Sequence, residues 1–136
     1  MTKLEPVTKL TPKALADFEA LKARNPSAVL AEFGSGAALA TLDFNLPEGW
    51  SASKVVLRFI VPNGYPVAPP DGFWVAPALQ VGGTQPRNTE LNNAIPEAGV
   101  SAHRFSWHFD NGHWSANRDN LLTWLRSCQE RLEKLE

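Results

Sequence analysis

A single cysteine, Cys128, is all the thiol in this 136-residue chain, so no intrachain disulfide can form and a thiolate-rich zinc site is excluded. Any metal would need His and carboxylate ligands. Charge of one sign is equally scarce: thirteen basic residues stand against fourteen acidic ones, with a formal net charge of -1 and no long run of either. Such a chain lacks the basic footprint that grips a phosphate backbone, and nucleic acid is not an expected partner. Long apolar runs are missing too. No stretch approaches the ~20 residues of a membrane-spanning helix, and Met1-Thr2-Lys3-Leu4-Glu5-Pro6 lacks the apolar centre of a secretory signal. A cytoplasmic protein with no membrane partner is the expectation. Neither an internal repeat nor a low-complexity tract is found. What remains, 43% hydrophobic and 20% charged residues, is an ordinary globular composition that supports one core. One domain over 1–136 is expected, with residues 1–10 flexible.

Thr11-Pro12 reads as an N-cap and a proline at the first helical position, followed by Leu15, Phe18 and Leu21 along one side of a helix that Asn25-Pro26 stops. Residues 28–33 and 37–46 read as two strands around Gly34-Ser35-Gly36, the second with Leu42, Phe44 and Leu46 buried and Thr41, Asp43 and Asn45 outward. A third strand is expected at 54–61, which is β-branched and apolar. Four prolines and two glycines between Pro62 and Gly72 favour a rigid extended loop, after which Phe73-Trp74-Val75 begins a fourth strand. From about Gly82 to Ala102 the polar, Gly-, Pro- and Asn-punctuated chain predicts a long irregular connection. Residues 115–135 read as a helix with Leu121, Leu125, Cys128, Leu132 and Leu135 on one stripe. The fold class is therefore α+β: an N-terminal helix, a four-stranded antiparallel meander, a long loop and a C-terminal helix.

That order resembles the ubiquitin-conjugating fold, and two motifs carry the likeness. Val61-Pro62-Asn63-Gly64-Tyr65-Pro66-Val67-Ala68-Pro69-Pro70 is similar to the family's proline loop with its Tyr-Pro and Pro-Pro pairs. Trp114-Ser115-Ala116 followed by Arg118-Asp119-Asn120-Leu121-Leu122 is similar to its tryptophan and the opening of the next helix. Phe73-Trp74, Phe105-Ser106-Trp107-His108 and Trp124-Leu125 look most like a bacterial branch, the prokaryotic conjugating-enzyme-like family E. In the wider family a nucleophilic cysteine lies about eight residues before the tryptophan, preceded by a His-Pro-Asn tripeptide; here that place falls on Ser106 and the tripeptide is absent. A serine hydroxyl is a much poorer nucleophile than a thiolate unless a base activates it, and it would yield an ester. The two helices that follow in many family members have no counterpart in this sequence.

Several residues are candidates for chemistry or binding. Cys128 falls among Leu125 and Leu132 on the apolar stripe, where burial leaves a thiol inert, with Arg126 and Arg131 expected on other sides of the helix. His103, His108 and His113 stand five apart with Asp110 between the last two. That spacing suits neither a helix face nor one side of a strand, so loop architecture competes with a zinc-dependent hydrolase or a base for Ser106. His103 and His108 are the acid-base candidates nearest Ser106. Of the five tryptophans, most are expected in the core, with Trp107 a candidate for an exposed binding patch. Tyr65, Pro66, Val67, Pro69 and Pro70 have a structural role through lost backbone freedom, and the resemblance adds a surface that meets ligases near Val67.

The resemblance implies three partners: a ubiquitin-like β-grasp protein, in tandem copies in some cases, a ThiF-type activating enzyme and a JAB-type metalloprotease. No cofactor is expected. A non-covalent binder or regulator of the ubiquitin-like protein is the first functional reading, an active conjugating enzyme using Ser106 or His108 the second, and a His-based metal hydrolase the third.

Overall fold

The computed structural model describes residues 8–109 and 113–136. Helix α1, Pro12–Arg24, starts where Thr11 caps it by accepting a hydrogen bond from the Ala14 N–H, and ends at Asn25, whose N–H bonds back to Leu21 and Lys22. Ala14, Phe18 and Leu21 are its buried face. Strands β1 (Val29–Glu32), β2 (Ala38–Asn45), β3 (Lys54–Val61) and β4 (Phe73–Ala76) follow as an antiparallel meander. Residues 1–7, most of the segment expected to be flexible, lie outside the described residues, whereas Leu10 is part of the core.

Two expectations need correction. The sheet has six strands, not four, in the order β1-β2-β3-β4-β6-β5, because the connection expected to be irregular contains β5 (Thr89–Ala94) and the start of β6 (Ser101–Phe105). β5 (Thr-Glu-Leu-Asn-Asn-Ala) is a bulged edge strand, mostly exposed, so the period-two alternation that betrays a half-buried strand is missing from it. Helix α2 is Leu121–Glu133, not 115–135. Its start is set by a capping box: Asn120 accepts from the Thr123 N–H while the Thr123 hydroxyl accepts from the Asn120 N–H. Residues 115–119 form a turn in which the Asp119 carboxylate accepts the Ser115 N–H at 2.7 Å. Burial alone would raise the Asp119 pKa, but the bonds from Arg118 and Ser115 hold it below its ordinary value. Leu135, beyond the helix, is exposed.

Both helices cover one face of the sheet. Leu42, Leu57 and Phe59 from the meander, Phe73 and Val75 from β4, and Phe105 from β6 meet Phe18, Leu21, Leu121, Trp124, Cys128 and Leu132 there. The opposite face is half roofed. The turn after β5 carries Ile95 and Ala98 over Leu39, Ile60 and Trp74 as a second apolar cluster. Trp74 donates to the Asn93 side chain at 3.0 Å, and the Ser35 hydroxyl reaches Glu97 at 2.6 Å across the two turn tips. Asp43 and Asn45, farther along β2, stay exposed, with Thr41 half-buried.

Among the described residues one cation is buried. Arg131 is not on an outer side of α2, as its sequence position suggests: it is 5% exposed. Its guanidinium lies 5.0 Å from the Phe105 ring centroid and donates to the carbonyls of Arg87, Lys134 and Glu136. The long stem packs while the fork satisfies carbonyls of three separate residues.

Candidate functional site

The proline loop is anchored from both ends. Tyr65 is buried and its hydroxyl donates to Asp17 on α1 at 2.5 Å, while Trp114 donates its indole N–H to the Pro66 carbonyl at 2.8 Å. These bonds tie the loop to the first helix and to the segment before the second. Pro70 is buried, Pro66 and Pro69 are half-buried, and Val67 projects with 81% of its surface exposed.

Just beyond that loop runs an open groove of about 760 Å³, lined by Pro69, Pro70, Asp71, Asn88, Ser106, Trp107, His108 and Phe109. Its walls come from the end of the proline loop and the strand exit after β6, which are laced together. The Gly72 N–H donates to the Trp107 carbonyl at 2.7 Å and the Ser106 N–H to the Asn88 carbonyl at 2.8 Å. Gly72 is there for a reason of space and angle: its φ is +72°, and a Cβ would come within 2.7 Å of the Arg104 guanidinium. Arg104 in turn lies over the Trp74 ring and donates from Nη1 to the Ser106 hydroxyl at 2.9 Å.

His108 pairs through Nδ1 with the Asp71 carboxylate. An ionised carboxylate can only accept, so Nδ1 donates in this pair, the arrangement by which a carboxylate orients an imidazole. Both side chains are well exposed, so the pair contributes little to stability. Ser106 and His108 share the groove, yet no hydrogen bond joins them among the described residues; the Ser106 oxygen is engaged by Arg104 instead. Trp107 is fixed by donating its indole N–H to the Ser127 hydroxyl on α2 at 2.8 Å.

The remaining candidates lie elsewhere. His103 is on the inner side of β6, 2% exposed, with Nδ1 accepting the Leu79 N–H at 3.0 Å. Burial lowers its pKa, helped by the nearby positive charge of Arg131, so the ring is held neutral. The folded state then resists a proton that the unfolded chain accepts. Stability should be full above the ordinary histidine value of 6.5 and fall as pH drops below it. We expect a lower thermal midpoint at about pH 5 than at about pH 7.5, with the slope flattened in His103→Gln; equal slopes would show that another group titrates. Among the described residues no three His, Cys, Asp or Glu side chains gather closely enough to hold a metal ion. Asp110, grouped with the histidines in the sequence, lies outside the described residues. Cys128 is fully buried on α2, where desolvation raises its thiol pKa well above the ordinary value.

Sequence reasoning missed Asp71, Asn88 and Arg104. Asp71 is separated from His108 by 37 positions, and no local spacing brings the two together before the β4–β6 pairing is known.

A family model described as Prokaryotic E2 family E matches residues 16–135. No curated protein and no solved structure matches the chain.

Proposed function

Because this chain belongs to the prokaryotic E2 family E, we propose that it keeps the conjugating-enzyme groove for recognition and binds a ubiquitin-like protein there without forming a thioester. One observation carries this reading: the sole thiol, Cys128, is 0% exposed on the core side of α2, while the groove offers Ser106, on which the resemblance to the wider ubiquitin-conjugating family puts the nucleophile's place. A buried, desolvated thiol stays protonated and out of reach of an activated carboxyl group. The groove takes the partner's C-terminal tail, and Val67 and the open half of the sheet beside Thr41, Asp43 and Asn45 are left for other contacts. The protein then recruits, caps or regulates the ubiquitin-like protein alongside a ThiF-type activating enzyme and a JAB-type protease.

The Asp71–His108 pair favours a second reading, conjugation without a thiol. In it His108 takes the Ser106 proton as the serine oxygen attacks the partner's C-terminal carbonyl, activated by ATP as an acyl adenylate; the acyl–phosphate bond breaks, AMP leaves and an oxyester remains, with Arg104 beside the serine oxygen. Intact mass under non-reducing conditions separates the two, using the ubiquitin-like protein, its activating enzyme and ATP. The expected result is saturable binding and no adduct. An adduct lost in Ser106→Ala or His108→Ala, but kept in Cys128→Ser, would overturn the binding reading in favour of the second.

A further inference from the structure

Two polar pairs stand at the groove beside the proline loop, Arg104 with Ser106 and Asp71 with His108. The direction of the first pair decides what Ser106 can do. A hydroxyl has one proton to give and two lone pairs with which to accept. Arg104, carried 5.6 Å from the Trp74 ring centroid, donates from Nη1 to the Ser106 oxygen at 2.9 Å, and the Ser106 proton reaches no acceptor among the described residues. An oxygen held as an acceptor by a guanidinium is a weaker nucleophile. Its proton is a stronger donor, because hydrogen bonds in a chain polarise one another. Ser106 therefore offers the groove a donor, and no base is bonded to it that would make it attack.

The second pair is a base with no side-chain nucleophile bonded to it. With Nδ1 donating to Asp71, the neutral His108 ring carries its lone pair on Nε2, and its side chain is 70% exposed, so water has access to it. The sole thiol, Cys128, is buried in the core, which leaves water as the nucleophile within reach. Among the residues lining the groove the one carboxylate is Asp71, so an uncharged acyl group is a better guest than an anion. A base that deprotonates water and a donor that receives the charge developing on a carbonyl oxygen are the two parts that acyl hydrolysis needs.

We infer that the groove hydrolyses a thioester formed on the C-terminal carboxyl group of the tail that lies in it. Water adds to the carbonyl carbon as His108 Nε2 takes its proton, and the Ser106 hydroxyl donates to the oxygen that becomes negative. When that adduct collapses the carbon–sulfur bond breaks, the sulfur takes the proton back from His108, and a carboxylic acid and a thiol leave. A thioester suits a site with no separate acid, since a thiol of pKa about 8.5 is a good leaving group where an amine is not. His108 and Ser106 are the catalytic residues of this reaction, and Asp71 and Arg104 are positioning residues that act through them. The inference rests on the binding reading only for whose tail is in the groove. Where that reading has the tail held, this one has it returned to a free carboxylate with the protein unmodified.

The test follows thiol release from acetyl-tetraglycine carrying a C-terminal mercaptoethanesulfonate thioester, with the full chain as catalyst. At about pH 7.5, kcat should exceed the rate of loss in buffer by at least about a thousandfold. His108→Ala should lower it about a hundredfold, and added imidazole should restore more than it achieves without protein. Both His108 and Asp71 are well exposed, so neither substitution threatens the fold. Asp71→Asn and Arg104→Gln should each lower kcat about tenfold with KM unchanged, and Arg104→Lys should recover part of the loss. Ser106→Ala should also cost about tenfold, less than a donor is worth in a closed site because this groove is open to water, and intact mass should find no acyl group on the protein. A wild-type rate no faster than buffer, an unchanged rate in His108→Ala, or an acyl adduct on Ser106 overturns the inference. With the ubiquitin-like protein, its activating enzyme and ATP, the wild type should also raise AMP release, and His108→Ala should not. If the ubiquitin-like protein binds saturably but neither thiol nor AMP release responds, this inference falls and the binding reading stands. If the small thioester is hydrolysed through His108 while the ubiquitin-like protein does not bind, the binding reading falls and the hydrolysis stands with another tail as its substrate.

Discussion

Trp124→Ala is expected to lower the free energy of unfolding by about 3–5 kcal/mol, the range for deleting a fully buried aromatic side chain. Trp124 is 0% exposed on α2 and meets Phe59 of β3 edge-on, with ring centroids 6.4 Å apart. It is the plug between the second helix and the centre of the sheet, and its neighbours one turn away, Leu121 and Cys128, are themselves fully buried and cannot collapse into the space. Trp124→Phe should cost much less, below about 2 kcal/mol, because the indole N–H has no hydrogen-bond partner among the described residues and its removal ends a desolvation penalty. Urea unfolding followed by circular dichroism reads both values independently of the lost fluorophore. A loss under about 1 kcal/mol for the alanine variant would mean that α2 does not dock through this side chain.

The second large effect is an ionisation that does not happen. Tyr65 is the only tyrosine, so the phenolate band in the near-ultraviolet reports on one residue. Burial pushes its pKa far above the ordinary value of 10.0, and the hydrogen bond to Asp17, the charge of that carboxylate and the charge of Asp119 push the same way. A bond from the Leu121 backbone works in the opposite sense. The folded pKa lies above the unfolded one, so the stabilising contribution is complete below about pH 10 and declines at higher pH as the unfolded chain gives up its proton. On alkaline titration the native protein should show no phenolate through about pH 11, and the band should rise together with the loss of secondary structure. A reversible phenolate signal near pH 10 with unchanged circular dichroism would show that the proline loop does not hold Tyr65 against α1.

How much of this was legible in the sequence depends on how local each signal is. Thr11-Pro12, the Leu42-to-Leu46 alternation and the β-branched run at 54–61 each encode their element within one window, and the structure has α1, β2 and β3 there. β5 was not legible because an edge strand facing water needs no apolar alternation. The start of α2 was displaced because Ser115 and Asp119 make a helix-like turn before Asn120 supplies the true cap. At the site, Ser106 could be named through the resemblance from its distance to Trp114, and Trp107 and His108 from their residue types beside it; the three line one groove. Their partners were not named: Asp71 reaches His108 only through the pairing of β4 with β6, and Arg104, two residues before Ser106, shares a side with it only once β6 is recognised as a strand. Arg131 shows the same limit in the core, since a charged residue late in a helix reads as solvent-facing until three carbonyls are seen converging on it.

The two rims of the sheet bear on solubility. β5 is interrupted by a register shift between Glu90 and Asn93, with Asn88 and Asn92 at positive φ, and β1 at the opposite rim is only four residues long. Neither rim offers a straight row of open amides and carbonyls onto which another copy could zip. Concentrated solutions should therefore resist fibril-like stacking despite a sheet of six strands. A strand added at either edge would find only a four-residue or a bulged partner, which favours recognition through side chains in grooves.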